Sequence, residues 1–168
     1  MSPASPESGR DIQTDTTECP VLIRHYEDRD FQDVLLLEEA GRSGSYRSAV
    51  FVRQMGECCP GTFLVAVADS RPVGYSVGLI VQDRPLHAWI LRMGVREGYR
   101  NNGIGRALLS AMIETLKKAQ VREVRLTVAP SNAPALHLYQ SMGFSQEHFL
   151  PAYFGPGEDR FCMKYTVR

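Results

Sequence analysis

No apolar run in this chain of 168 residues approaches the roughly 20 that a bilayer-spanning helix needs, so no membrane partner is expected. The first residues, Met1-Ser2-Pro3-Ala4-Ser5-Pro6, carry neither a basic stretch nor an apolar one. A secretory leader is therefore not expected, and a cytoplasmic location is. Net charge is also missing: 19 basic and 19 acidic side chains cancel. A nucleic-acid binder usually shows a basic excess or stripe, so that class is disfavoured. Cysteine is sparse, with Cys19, Cys58, Cys59 and Cys162 only. Adjacent Cys58 and Cys59 make poor partners for an ordinary disulfide, and no Cys-x-x-Cys pair exists. His25, His87, His137 and His148 do not fall near the cysteines in zinc-like spacing, so reduced thiols and no metal are expected. No internal repeat or interdomain linker is visible.

What is present suits one core: 43% of the residues are hydrophobic. Residues 1–17 are rich in Ser, Pro, Thr, Asp and Glu and hold one large apolar residue, Ile12, which predicts a mobile tail ahead of a single domain over 18–168. Val21 to Tyr26 reads as a strand. Asp28 or Asp30 then caps a helix with apolar Phe31, Val34, Leu35 and Leu37, which Gly41 to Ser45 breaks. Tyr46 to Met55 reads as a second helix. Three strands follow, Thr62–Ala68, Val73–Val81 and His87–Val95, joined by turns at Asp69–Pro72 and Gln82–Pro85, which makes them antiparallel. A helix from Gly103 to about Gln120 carries Leu108, Leu109, Met112, Ile113 and Leu116 at three- and four-residue spacing. Val121–Val128 is a strand. Asn132 is a good N-cap with Pro134 in the first turn, and Gly143 closes that helix. Phe144–Phe149 and Phe161–Val167 are the last strands, around an aromatic loop from Leu150 to Arg160. The sum is an α/β domain with a mixed, mostly antiparallel sheet of about seven strands flanked by about four helices.

The stretch Arg100-Asn101-Asn102-Gly103-Ile104-Gly105-Arg106 joins a strand to a helix, and its chemistry is anion binding. The first turn of a helix leaves backbone N–H groups without partners, and the helix dipole adds positive potential there. Gly103 and Gly105 let a ligand approach the main chain, and Arg100 and Arg106 add full charges. A phosphate or pyrophosphate fits such a place. Taken alone, the pattern also serves as an ordinary turn with solvated arginines. It is not a Walker loop, because no Gly-Lys-Ser/Thr follows. It is no dinucleotide fingerprint either, since Leu108 stands where the third glycine belongs.

The same stretch resembles the Arg/Gln-x-x-Gly-x-Gly/Ala signature of the GNAT acetyltransferase superfamily. Two further segments extend the resemblance in order and spacing. Met93-Gly94-Val95 matches the family's splayed strand. Ser131-Asn132 with Ala135-Leu136-His137-Leu138-Tyr139-Gln140-Ser141-Met142-Gly143-Phe144 matches its Asn and Ala-x-x-Leu-Tyr-x-x-x-Gly-Phe segment. The resemblance covers roughly Val21 to Val167. It implies that acetyl-coenzyme A is the co-substrate, with its pyrophosphate on the amides from Asn101 to Arg106 and its pantetheine along Met93, Gly94, Val95 and Asn132. It implies direct transfer to an amine, with Tyr139 as proton donor to the sulfur. Those residues have plainer readings as a buried strand, a helix cap and a core tyrosine. A break in pairing near Gly94 would favour the ligand reading. The segment between the first two strands shapes the acceptor site in the family, which makes Glu38, Glu39 and Tyr46 candidate contacts. The Leu150–Arg160 loop, with Tyr153, is similar to the acceptor-covering loop of the ribosomal-protein type of N-terminal acetyltransferase. The leading acceptor is thus a peptide or protein N-terminus. A small-molecule amine, or a non-catalytic acyl-CoA-binding module, are the alternatives, and the family is found as monomer or homodimer.

One departure bears on substrate. Where relatives often carry a Glu or His base, this chain has Thr127, and Trp89 stands in place of a tyrosine sometimes used. Glu38 and His87 are the remaining candidate bases. An α-amine titrates near 7.7–8.0, so about a quarter is neutral at mildly alkaline pH, whereas a lysine near 10.4 is neutral to about one part in a thousand. An enzyme without a strong base is better suited to the α-amine. Near neutral pH the chain is expected to acetylate an α-amino peptide faster than a matched lysine peptide. Efficient lysine acetylation without α-amine acetylation contradicts this.

Overall fold

The computed structural model describes residues 21–40 and 45–168. The tail over 1–17, Cys19 and most of the break at Gly41–Ser45 lie outside the described residues. Seven strands form one sheet: β1 (Leu22–His25), β2 (Phe63–Ala68), β3 (Arg71–Ile80), β4 (His87–Val95), β5 (Glu123–Val128), β6 (Ser145–Leu150) and β7 (Arg160–Thr166), in the order β1-β2-β3-β4-β5-β7-β6. Four helices accompany it: α1 (Phe31–Glu39), α2 (Ser45–Cys58), α3 (Ile104–Lys118) and α4 (Ala133–Ser141). No helix among the described residues is long and apolar enough to cross a membrane.

Strand alternation divides the interior into two cores. In β2, Phe63 and Val65 join Val34, Val52, Tyr75 and Val77 on the side of α1 and α2. Leu64, Ala66 and Ala68 point the opposite way, to Leu108, Leu109, Met112 and Leu116 of α3. This is the two-residue period of a strand meeting the helical period of α3. Lys117 and Lys118 end α3 where the helix dipole is negative.

All strand pairs are antiparallel except β4–β5, which α3 connects as a parallel crossover. That pairing is short. It runs from His87↔Glu123 to Ile90↔Leu126 and stops. Beyond it β4 stays on β3 as far as Val95↔Gly74, and β5 stays on β7 as far as Val128↔Phe161. Each strand is held by its outer neighbour while the inner edges part. A bulge helps to turn β4 away: Val77 pairs with Arg92 and Gly78 with Ile90, so Leu91 is the extra residue.

Some expectations shift. The turn expected over Asp69–Pro72 contracts to Asp69 and Ser70, both left-handed (φ 49° and 64°), as a tight hairpin between twisted strands requires. Pro72 therefore lies inside β3. It sits beside a register shift between Ala66 and Val67, where a missing N–H does least harm. β5 starts at Glu123 rather than Val121 because the Arg122 and Glu123 amides donate to the Leu86 carbonyl first. Short 3-10 turns at Asp28–Asp30, Pro60–Thr62 and Glu97–Tyr99 carry too few residues to show a period. Gly94 pairs in register with Tyr75, so the break falls at Leu91 instead. Glycine is needed at 94 for a different reason: a Cβ there would lie 2.9 Å from the Tyr75 ring.

Leu108 is fully buried between α3 and the sheet. Leu108→Ala is expected to lower unfolding free energy by about 2–5 kcal/mol in urea titration. A loss under about 1 kcal/mol would mean that this core collapses around the void.

Candidate active site

The parting of β4 from β5 opens a wedge of about 240 Å³. Met93 and Thr127 form its two strand walls, and Asn132 and Tyr139 close it from the α4 side. The backbone of β4 is available along this wedge. The Arg96 amide donates to the Val73 carbonyl at 2.8 Å, which makes that pair a hydrogen-bonded one. Antiparallel pairs alternate, so Gly94 and Arg92 turn their polar groups to β3, while Met93 and Val95 turn theirs to the open edge. The Val95 carbonyl accepts from Arg100 Nε at 3.1 Å. The Val95 N–H and both polar groups of Met93 lie on that edge; Met93 lines the wedge, and Val95 the cavity next to it.

The loop after β4 is shaped as the sequence requires. Asn101 (φ 64°) and Gly103 (φ 76°) are both left-handed, and Gly103 caps α3. A Cβ on Gly103 would meet nothing within 4 Å, so glycine answers the backbone angle there and not a lack of room. The first intrahelical bond is Ala107 N–H to Gly103 O at 2.9 Å, which leaves the amides of Ile104, Gly105 and Arg106 outside the helix ladder. At Gly105 a Cβ would press on Leu138 of α4 at 3.3 Å, so small size there lets the two helices meet. Arg106 reaches over to Ser141 Oγ at 2.7 Å. Arg100 lines a second, larger cavity of about 930 Å³ on the α1 side of β4. The two cavities meet at Arg92, Met93 and Asn132, which line both.

Asn132 caps α4, its Oδ1 accepting from the Ala135 amide at 3.2 Å, so its side-chain NH₂ remains as a donor toward both cavities. Tyr139 is 8% exposed, and burial alone pushes its hydroxyl up to about 12. It therefore keeps its proton at any physiological pH and acts as a hydrogen-bond donor.

The remaining candidates separate. Glu38 is buried rather than on the surface. It accepts from the Tyr75 hydroxyl and pairs with Arg92 Nε at 3.2 Å, in the wall of the larger cavity. Both of its oxygens are thus engaged within the protein. His87 lies at the far end of β4 against Glu123 and Arg125, and lines neither cavity. Glu39 is half-buried and also lines neither. Tyr46 is 79% exposed and away from both cavities. Tyr153 is half-exposed, edge-on to Phe154, and it is Phe154 that reaches the wedge. Sequence reasoning missed Arg92 and Tyr75, and within the Leu150–Arg160 loop it singled out Tyr153 where Phe154 and Arg160 line the wedge. An arginine in the middle of an otherwise apolar strand was the one available signal.

These features fit acetyl-coenzyme A on structural grounds. An open strand edge can take an extended amide-bearing arm, an amide-rich helix start with Arg100 and Arg106 can take a pyrophosphate, and a buried phenol stands where the two strands part. Residues 22–144 match the acetyltransferase (GNAT) family. The chain belongs to this family. It is 30% identical over 151 residues to an N-alpha-acetyltransferase of Sulfurisphaera tokodaii, across 84% of this chain and 90% of that protein. It is 27% identical to an N-alpha-acetyltransferase of Saccharolobus solfataricus, across 97% and 98%. Its fold superimposes on the crystal structure of Ard1 from Thermoplasma volcanium with a TM-score of 0.79, at 26% identity, over 88% of this chain and 98% of that one. The protein is an acetyl-CoA-dependent acyltransferase with the GNAT fold.

Proposed function

We propose that the chain transfers acetyl from acetyl-CoA to the α-amino group of a peptide or protein N-terminus, in the cytoplasm. The observation that carries the reading is the wedge itself: an unpaired β4 edge whose Met93 shares the opening with Tyr139, with Val95 next along the edge and the amide-rich start of α3 beyond. The names of the similar proteins support the acceptor class. So does the site's chemistry, because no basic carboxylate or imidazole lines the wedge among the described residues. An acceptor already partly neutral near pH 7.7–8.0 needs none.

When bound, acetyl-CoA supplies an activated thioester. The Ile104, Gly105 and Arg106 amides hold its pyrophosphate, with Arg100 and Arg106 adding charge. The Met93 and Val95 groups and Asn132 fix the pantetheine arm. The Met93 carbonyl meets the incoming amine, which lowers the entropy cost of bringing the reactants together. Tyr139 donates its O–H to the departing sulfur. With its affinity for the proton raised to about 12, its contribution is stabilisation of charge on sulfur and not complete proton transfer; the proton that the amine nitrogen sheds as the C–N bond forms and the C–S bond breaks passes to the departing thiolate or to water.

Free-thiol release from acetyl-CoA, run with α-amino peptides, lysine peptides, polyamines and small amines, tests this. Wild type is expected to turn over the α-amino peptides, and Tyr139→Phe to lose about 100-fold in kcat with acetyl-CoA affinity little changed. The rate with pH follows from the sign of the shift. Activity rises as the α-amine deprotonates and holds on a plateau to pH 10, because Tyr139 is still protonated there. Full activity in Tyr139→Phe, or a fall in rate between pH 8 and about 10, removes Tyr139 from this role. Acetyl-CoA binding with no turnover on any amine would point to a module that does no chemistry.

A further inference from the structure

The wedge has an unexpected charge. Its only charged lining residues among those described are Arg92 and Arg160, with no Asp or Glu. An amine acceptor approaches mostly as a cation, yet no carboxylate among the described residues stands with the apolar walls such as Ile90, Leu126 and Val128 to receive it. Both arginines are fixed, and in the same way. Arg92 lies over the Phe51 ring at 5.0 Å and pairs with Glu38; Arg160 lies over the Phe154 ring at 5.0 Å and pairs with Glu158 at 2.6 Å. Both arginines line the wedge, whereas neither carboxylate partner does, and Arg160 also donates to the Asp159 carbonyl at 2.6 Å. The coenzyme's phosphates do not account for the pair. Their site is the loop over 101–106, none of which lines the wedge.

We propose that Arg92 and Arg160 select an acceptor with a carboxylate close to its amine, namely a peptide with Asp or Glu at its first or second position. This rests on the reading of the acceptor as a peptide α-amine. The amine must reach the wedge to react, so a side chain within one residue of it lies within reach of the same cavity. Guanidinium groups bind carboxylates by paired, charge-assisted hydrogen bonds, and an amide isostere cannot replace that.

The test is the ratio of kcat/KM for peptides differing only as Glu against Gln, or Asp against Asn, at positions one and two. Free acidic amino acids, lysine peptides and polyamines are run alongside. Wild type is expected to favour the acidic peptide by about tenfold or more, less so as salt rises. The ratio is expected to fall toward one in Arg92→Gln and in Arg160→Gln. Being measured on one preparation, it does not depend on how much of a variant folds. If Arg92→Gln leaves Glu38 uncompensated and fails to fold, Arg160→Gln at the start of β7 decides. A wild-type ratio near one, or a full-sized preference in both variants, overturns the assignment while leaving the peptide reading intact. Turnover of free acidic amino acids but of no peptide keeps the arginine assignment and removes the peptide reading. Turnover confined to lysine peptides or polyamines removes both.

Discussion

The structure depends on backbone hydrogen bonds that β4 and β5 do not make to each other. A strand edge inside a sheet ordinarily finds its partner at once, because a buried N–H or C=O left alone costs as much as a lost hydrogen bond. Here pairing stops after Ile90 and Leu126, and the next polar groups of β4 face open space. What keeps the gap from closing is the strength of the outer pairings: β4 on β3 to Val95, and β5 on β7 to Val128. The bulge at Leu91 turns β4 aside. Two cores, one under α1 and α2 and one under α3, hold the sheet in that opened form.

Once the strands part, the other site elements have little freedom. The loop after β4 must climb onto α3, and left-handed Asn101 and Gly103 make the turn while bringing the first amides of α3 to the rim. α4 packs across the wedge through tilted ring contacts of its Tyr139 with Phe144 and of Phe144 with Tyr165, at centroid distances of 5.8 and 5.2 Å. That packing is why Tyr139 is both buried and beside the opening. The free amides at the start of α3 and the placement of the phenol are thus two results of one backbone event. The wall of the larger cavity is built differently. It rests on side chains that meet over long sequence distances, such as Glu38 with Tyr75 and Arg92.

This difference explains what could be read from the residues alone. The start of α3 was legible because its signals are local: a glycine where φ is positive, then an apolar period from Leu108 to Leu116. The Asn132 cap and Gly143 stop were legible for the same reason. Bulge position was not, since nothing about Leu91 distinguishes it from its neighbours; the shift arises from the register of β3. Glu38 was a candidate contact and base, but its pairing could not be read, because its burial depends on α1 docking against Tyr75. Arg160 read as the end of a loop, and its place in the wedge follows from β7 pairing with β5. Tyr153 and Tyr46 show the converse: aromatic residues near the right segment whose side chains lie outside both cavities.

The central claim is that the unpaired edge of β4 and the start of α3 together form the coenzyme site. Amide hydrogen exchange, compared with and without saturating acetyl-CoA, measures this directly. The account predicts slowed exchange at Met93, Val95, Ile104, Gly105 and Arg106, with Gly94 unchanged because its amide already faces β3. Tight binding that leaves those five amides exchanging at their free rates would contradict it.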